Sequence, residues 1–200
     1  MMGDASGPRG WLADQRSEVA AERILDAAET LFAHHDPETV GMNEIARAAG
    51  CSRATLYRYF DNREALHRAY VHRQARSLDR LLAERLAGIS DPQTRLVTGM
   101  TEAIALVRAN PALSSWFART GPLGGEMADR SEVIIAMVAA FLESVQPDAD
   151  PGRPSVERRA RWVVRVLTSL LVFPGGDDAE ETAMLTDFVA PLVVSPARRS

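Results

Sequence analysis

Two hundred residues, 46% apolar and 25% charged, supply enough hydrophobic material for a core and exclude wholesale disorder. A formal net charge of −4 excludes a chain that is basic throughout, so any nucleic-acid-binding face has to be local. All 23 basic residues are Arg, whose planar fork suits phosphates and guanine edges; the lone Cys51 excludes an intrachain disulfide and fits a reducing cytoplasm.

Residues 1–10 are small and polar, hold no apolar secretory core, and are read with 11–16 as a disordered arm. The spacing of Ile24, Ala27, Ala28, Leu31 and Phe32 predicts a helix over 17–33, with Ser17 as its cap and Asp36-Pro37 as its stop. A short helix over 42–49 turns Ile45, Ala46 and Ala49 inward and ends at Gly50. Ser52 caps the next, over 53–59, and Phe60-Asp61-Asn62 breaks it. A long helix follows over 63–87, closed by Gly88. Asp91-Pro92 opens a helix to 108 and Asn110-Pro111 a short one to 119; Gly121-Pro122 and Gly124-Gly125 read as a loop. Helices over 126–145, 155–173 and 179–193 complete the chain, with a polar linker over 146–154 and a tight loop at Pro174-Gly175-Gly176. No segment alternates like a strand, so the expected fold is all-α, with about nine helices. The nearly apolar run 162–173 contains Arg165 and is too short to span a bilayer, so a soluble cytoplasmic protein with no membrane partner is expected.

Two short helices joined by Gly50-Cys51-Ser52 make a helix-turn-helix, whose second helix offers its N-terminal residues to base edges. Between residues 40 and 80 stand eight Arg against four Asp and Glu, so the basic excess sits where the motif sits. Thr55, Tyr57, Arg58 and Tyr59 add donors of the kind that phosphate oxygens accept from.

The stretch resembles the tetracycline-repressor (TetR) family of bacterial regulators. The resemblance runs over about 17–70 and rests on Ala27-Ala28, Leu31-Phe32, Ile45-Ala46, Ala49-Gly50 and Ser52. It continues through Thr55, Leu56, Tyr57, Tyr59, Phe60, Arg63, Glu64 and Leu66. It implies a three-helix DNA-binding domain over 17–62, joined by a long helix to a helical bundle over 63–195 that dimerises and binds a ligand. Arg53 and Ala54 match positions that reach base edges. Thr55, Tyr57, Tyr59 and Arg63 match positions that touch phosphates, and Leu56 and Phe60 match core positions. Two departures stand out: Gly41 replaces the usual hydroxyl at the start of the second helix, and Asp36 replaces a Gly at the end of the first, where slight strain is expected.

In the family a ligand cavity forms among the C-terminal helices, which implies a pocket drawn from Met100, Ile104, Trp116, Phe117, Met137, Phe141 and Trp162. The helix over 155–173 is apolar around most of its circumference, more than one buried face requires. The family dimerises through its last two long helices. A homodimer interface is therefore expected from Trp162, Val166, Leu170, Met184, Phe188 and Leu192.

Other candidates read more simply as structure. Cys51 is expected to be a buried, inert thiol. His34, His35, His67 and His72 lack ligand spacing and are expected to be solvated, with no metal or cofactor. Asp177, Asp178, Glu180 and Glu181 suit a helix N-terminus. The loop at 121–125 lacks the Lys-Ser/Thr of a phosphate-binding loop, and no catalytic constellation stands out, so an enzyme is not expected. The leading expectation is a homodimeric repressor, released from a palindromic double-stranded operator by a mainly hydrophobic small molecule. An effector-independent activator or constitutive regulator is the second reading. A helical interaction protein that has lost DNA binding is the third, and Arg53, Thr55, Tyr57, Tyr59 and Arg63 argue against it.

Overall fold

The computed structural model describes residues 9–117, 123–146 and 154–194, and every regular element among them is helical. The chain divides into two compact units, 1–70 and 71–200.

The first unit contains α1 (Arg9–Phe32), α2 (Met42–Ala48), α3 (Arg53–Tyr59) and the start of α4 (Arg63–Leu86). Helix α1 begins at Arg9, so Ser17 lies within it instead of capping it, and the part of the expected arm from 9 to 16 is helical; residues 1–8 lie outside the described residues. Ile24, Ala28 and Phe32 on α1 meet Ile45, Ala46, Leu56, Phe60 and Leu66 in a buried core. Asp36 is not strained: no non-glycine residue among those described has a positive φ. Its Oδ1 accepts from the Glu38 N–H at 2.8 Å, and its carbonyl accepts from the Thr39 hydroxyl at 2.8 Å, which builds the turn after α1.

Gly50 carries the turn from α2 to α3 with φ +66°, left-handed backbone that only glycine adopts at little cost. Ser52 caps α3, its Oγ accepting from the Thr55 N–H at 3.0 Å. Asn62 does the same for α4, accepting from the Ala65 N–H at 2.8 Å.

The second unit holds the rest of α4, then α5 (Pro92–Ala109) and α6 (Pro111–Ser114), the latter drawn into a 3₁₀ turn, Ser115–Phe117. Next come α7 (Leu123–Arg130), α8 (Glu132–Val145) and α9 (Val156–Val172). Last are α10 (Asp178–Met184), a π turn (Leu185–Val189) and α11 (Ala190–Val193). Two expectations need correcting here. Gly124 and Gly125 are helical, not loop, residues, and both are buried. A Cβ on Gly124 would lie 2.9 Å from the Trp116 Cβ, and one on Gly125 2.6 Å from the Thr168 Cγ2, so these glycines permit close packing. Gly121-Pro122 and the 147–153 part of the expected linker lie outside the described residues.

The helix expected over 126–145 is also two helices. Ser131, in extended conformation, separates α7 from α8 and caps the latter, accepting from the Ile134 N–H at 3.2 Å. The helix expected over 179–193 widens into the π turn just before Pro191, which has no N–H to give to the preceding turn. Eleven α-helical segments stand among the described residues, against about nine expected, because two of the expected helices are divided.

Leu96, Met100, Ile104, Ile135, Leu142 and Val163 form the heart of this unit's core. Two charges are buried beside it. The Arg108 guanidinium grips Glu181 at 2.7 and 2.8 Å and also donates to the Leu170 carbonyl at 2.9 Å. That hydrogen bonding holds the Glu181 carboxyl below its usual range. Of the acidic cluster, Asp177 is the cap, accepting from the Glu180 N–H at 2.8 Å, whereas Glu181 is an ion-pair partner. Arg159, 3% exposed, donates to the Val193 carbonyl at 2.8 Å.

Candidate nucleic-acid interface and apolar cavity

Helix α3 buries only Leu56, which anchors it on the N-terminal core. Its first residues, Arg53 and Ala54, are exposed, and Thr55, Tyr57 and Tyr59 are half-buried. The side chains order one another. The Arg53 guanidinium lies 5.3 Å from the Tyr57 ring centroid. Arg58 lies 5.1 Å from the Tyr59 ring and donates to the Tyr59 hydroxyl at 3.2 Å. The Thr55 hydroxyl shares a 2.8 Å hydrogen bond with the cap Ser52. The Arg63 guanidinium donates to the Glu38 carbonyl at 2.6 Å, across the turn that Asp36 builds. Arg47, Arg53, Arg58 and Arg63 are all exposed, so α2, α3 and the start of α4 present four cations, with the Tyr57 and Tyr59 hydroxyls on α3. Such a surface suits a polyanion, with phosphate contacts from its margins and base contacts from the first turn of α3. Arg58 was expected from sequence as a phosphate donor beside Tyr57 and Tyr59; Arg47 was not, and its signal was its place on the first helix of the motif.

Two of the histidines differ from expectation. His67 is 4% exposed, set edge-on to Phe32 with ring centroids 5.6 Å apart. Burial, and then the charge of Arg63, lower its pKa to about 4. His72 shares a 2.9 Å hydrogen bond between its Nε2 and the Ser131 Oγ. Cys51 is half-exposed rather than buried.

In the second unit, two apolar spaces open within the bundle. One, about 150 Å³, has Ile104, Trp116 and Phe117 in its wall. The other, about 440 Å³, has Met100, Met137 and Phe141. Six of the seven residues expected at a pocket therefore line one of these two spaces. Sequence reasoning missed Ala103, Ile134, Val138 and Leu167, which line both. Nothing in their residue type separates cavity wall from core; only the packing does.

Trp162, the seventh, lies in neither. It is 47% exposed on the outer side of α9, where it joins Val166, Leu170, Met184 and Phe188 around a separate groove of about 340 Å³. Of the residues expected at a dimer interface, Phe188 is 69%, Leu192 64% and Met184 41% exposed, whereas Leu170 is 5% exposed and belongs to the protomer's own core. The charged strip beside them is neutralised: Arg161 pairs with Glu132 at 2.8 Å and Arg165 with Asp129 at 3.0 Å.

Comparison with known proteins decides the family. Residues 24–70 match the bacterial regulatory proteins of the tetR family. Over 188 residues the chain is 60% identical to the uncharacterized HTH-type transcriptional regulator Rv1255c of Mycobacterium tuberculosis H37Rv, covering 94% of this chain and 91% of that one. The chain belongs to the tetR family of bacterial transcriptional regulators. Its fold is that of the TetR family repressor AlkX from Dietzia sp., with a TM-score of 0.62 at 22% identity, covering 86% of this chain and 96% of that one. It is equally that of RolR in complex with resorcinol, with a TM-score of 0.66 at 17% identity, covering 92% and 97%. The tetR-family assignment makes this a transcriptional regulator, and the all-helical fold with an N-terminal helix-turn-helix agrees. Among the described residues no helix is long and apolar enough to cross a membrane, and no group of three or more His, Cys, Asp or Glu could hold a metal ion.

Proposed function

We propose that this tetR-family chain is a homodimeric repressor that grips a palindromic operator through α3 and releases it when a mainly hydrophobic small molecule enters the α4–α5–α8–α9 cavity. The observation that carries the reading is the cavity itself. The space, about 440 Å³, is walled almost wholly by apolar side chains and opens to solvent, so a mainly hydrophobic ligand entering it would cover apolar surface that otherwise meets water. Its size falls in the usual range for small-molecule sites, about 300–1,000 Å³. RolR, of the same fold, is known in complex with resorcinol, which supports a ligand-responsive reading.

The exposed apolar side chains of α9, α10 and the π turn support the dimer. A self-complementary patch is the usual basis of two-fold pairing. Two α3 helices would then meet successive major grooves, about 34 Å apart. Arg53, in the first turn, reads bases; Thr55, Tyr57, Tyr59 and Arg63 bind phosphates, with Arg63 exchanging the Glu38 carbonyl for a phosphate oxygen.

The test uses a duplex selected from random-sequence DNA by the protein itself. Arg53→Ala is expected to weaken binding to this duplex by the equivalent of about 1–3 kcal/mol and to spare scrambled DNA. Arg63→Ala is expected to weaken both alike and to lower the salt slope by about one. Failure to enrich any sequence overturns the regulator's operator reading, and the reverse pattern in the two variants overturns their roles.

A further inference from the structure

The two apolar spaces are not side by side. Their walls follow one another along the same four helices. On α4 the first space is lined from Val71 to Leu78 and the second from Ala75 to Leu86. On α5 the first runs from Val107 back to Ala103 and the second from Ala103 back to Arg95. On α8 the first ends at Val138 and the second continues to Ser144. The spaces meet where Ala75, Leu78, Ala103, Ile134, Val138 and Leu167 serve both. Val107 stands twelve residue steps along α5 from Arg95, and at 1.5 Å per step the combined space is about 18 Å long. It is therefore a narrow channel and not a compact chamber.

The two ends differ chemically. The far end is walled by Val107, Leu113, Trp116 and Phe117, and Gln74 and Thr168 are the polar side chains in that half. The near end carries Arg95. Its Nη1 donates to the Ser144 carbonyl at 3.2 Å, and its guanidinium lies 6.0 Å from the Phe141 ring centroid. Its Nε is buried and has no hydrogen-bond partner. No carboxylate among the described residues pairs with this guanidinium. A cation half-enclosed in an apolar wall with a donor unused is a place for an anionic group, because the ligand would supply the missing acceptor. Asp79 shares the rim but is exposed, and water satisfies it there.

We infer that the effector is an extended aliphatic chain with a carboxylate head, the head on Arg95 and the tail running past Ala103 toward Trp116. The inference rests on the ligand-responsive reading above and names the ligand class for that cavity. A compact ring would fill one half of the channel and leave the other empty.

The test titrates palmitate, methyl palmitate, hexadecylamine and resorcinol, at submicellar concentration, into the full-length protein by calorimetry. Palmitate is expected to bind at least tenfold tighter than its ester or the amine. Arg95→Met, or Arg95→Gln should the first variant not fold, is expected to make acid and ester equal. Ala103→Phe, which plugs the junction, is expected to shift the preference from palmitate to octanoate. A tighter amine makes Asp79 the anchor and overturns the head assignment. Tighter resorcinol overturns the extended occupant and leaves the ligand-responsive reading intact, and no binding by any of the four overturns the inference. Release of the selected duplex is read in parallel: palmitate bound without release overturns the repressor reading alone.

Discussion

The two units dispose of their apolar residues in opposite ways. In the first, only Val19 is a large hydrophobic residue left in solvent among the described side chains; the rest are packed, and the exposed cations Arg47, Arg53, Arg58 and Arg63 stand on α2, α3 and the start of α4. In the second, Trp162, Phe173, Met184, Phe188 and Leu192 face outward, and an apolar cleft of about 440 Å³ runs between its helices. Packing normally removes both features. A unit that finishes its own packing needs only a partner for its charges, whereas one with an apolar face and an apolar cleft offers surface for other molecules to cover. On the proposed reading the first unit takes DNA, and the second takes a ligand and a second copy.

The largest effect that breaks this comparison lies on the open face. Phe188→Arg leaves the protomer's core untouched, because Phe188 is 69% exposed. In a dimer it would bury an unpaired charge in each copy. Dimerisation is expected to weaken a thousandfold or more, about 4 kcal/mol. Sedimentation should show a dimer for the wild type and a monomer for the variant at micromolar concentration, with unchanged helicity by circular dichroism. A wild-type monomer removes the dimer. Leu170 is a poorer probe, since a charge there damages the protomer itself.

A smaller effect probes the closed unit. His67 is buried against Phe32, and its pKa is lowered to about 4, chiefly by burial and then by Arg63. The unfolded imidazole takes a proton near pH 6.5. Below 6.5 the unfolded state thus binds more protons than the native one, and stability falls as pH falls, levelling off near 4. The loss amounts to as much as about 3 kcal/mol. Glu181 and Asp129, whose carboxyls are held below the usual range by hydrogen bonds from Arg108 and Arg165, lose stabilisation only as pH falls past the ordinary carboxylate pKa of about 4, so the decline between about pH 6.5 and 5 belongs to the imidazole. Denaturant melts from pH 7 to 4 should show the decline in the wild type and a flatter profile in His67→Gln. Equal slopes would mean that His67 is solvated after all.

Sequence legibility follows the same division. The first unit is written in local signals: Gly50 for the turn, Ser52 for the cap, and the spacing of Leu56 and Phe60 for the buried side of α3. These act within a few residues, and the bounds of α2 and α3 follow them closely, whereas α1 starts eight residues before the expected cap Ser17. The second unit depends on contacts between distant segments. Trp162 looked like pocket lining because it is large and apolar on the right helix, but its position on α9 turns it outward. Gly124 and Gly125 looked like a loop because nothing local shows that Trp116 and Thr168 press against them. Arg95 carried no signal at all; it gains meaning only from the channel it ends. The break at Ser131 was readable, since a capping serine stood before a fresh apolar run.

The smallest predicted effects set a local glycine against a tertiary one. Gly124→Ala places a Cβ 2.9 Å from both the Trp116 Cβ and its carbonyl oxygen, so backbone must shift; overpacking of this kind costs about 1–3 kcal/mol. Gly50→Ala meets nothing within 4 Å, so its whole cost is the left-handed conformation at φ +66°, about 1–2 kcal/mol. The two respond differently to a change of side chain. Asn tolerates left-handed backbone, so Gly50→Asn should recover much of the stability that Gly50→Ala loses. Gly124→Asn should be worse than Gly124→Ala, because added volume deepens the clash. Thermal melts of the four variants decide the matter. Should Gly50→Asn melt as low as Gly50→Ala, backbone conformation is not what holds that position to glycine, and the turn between α2 and α3 depends on its surroundings as α7 does.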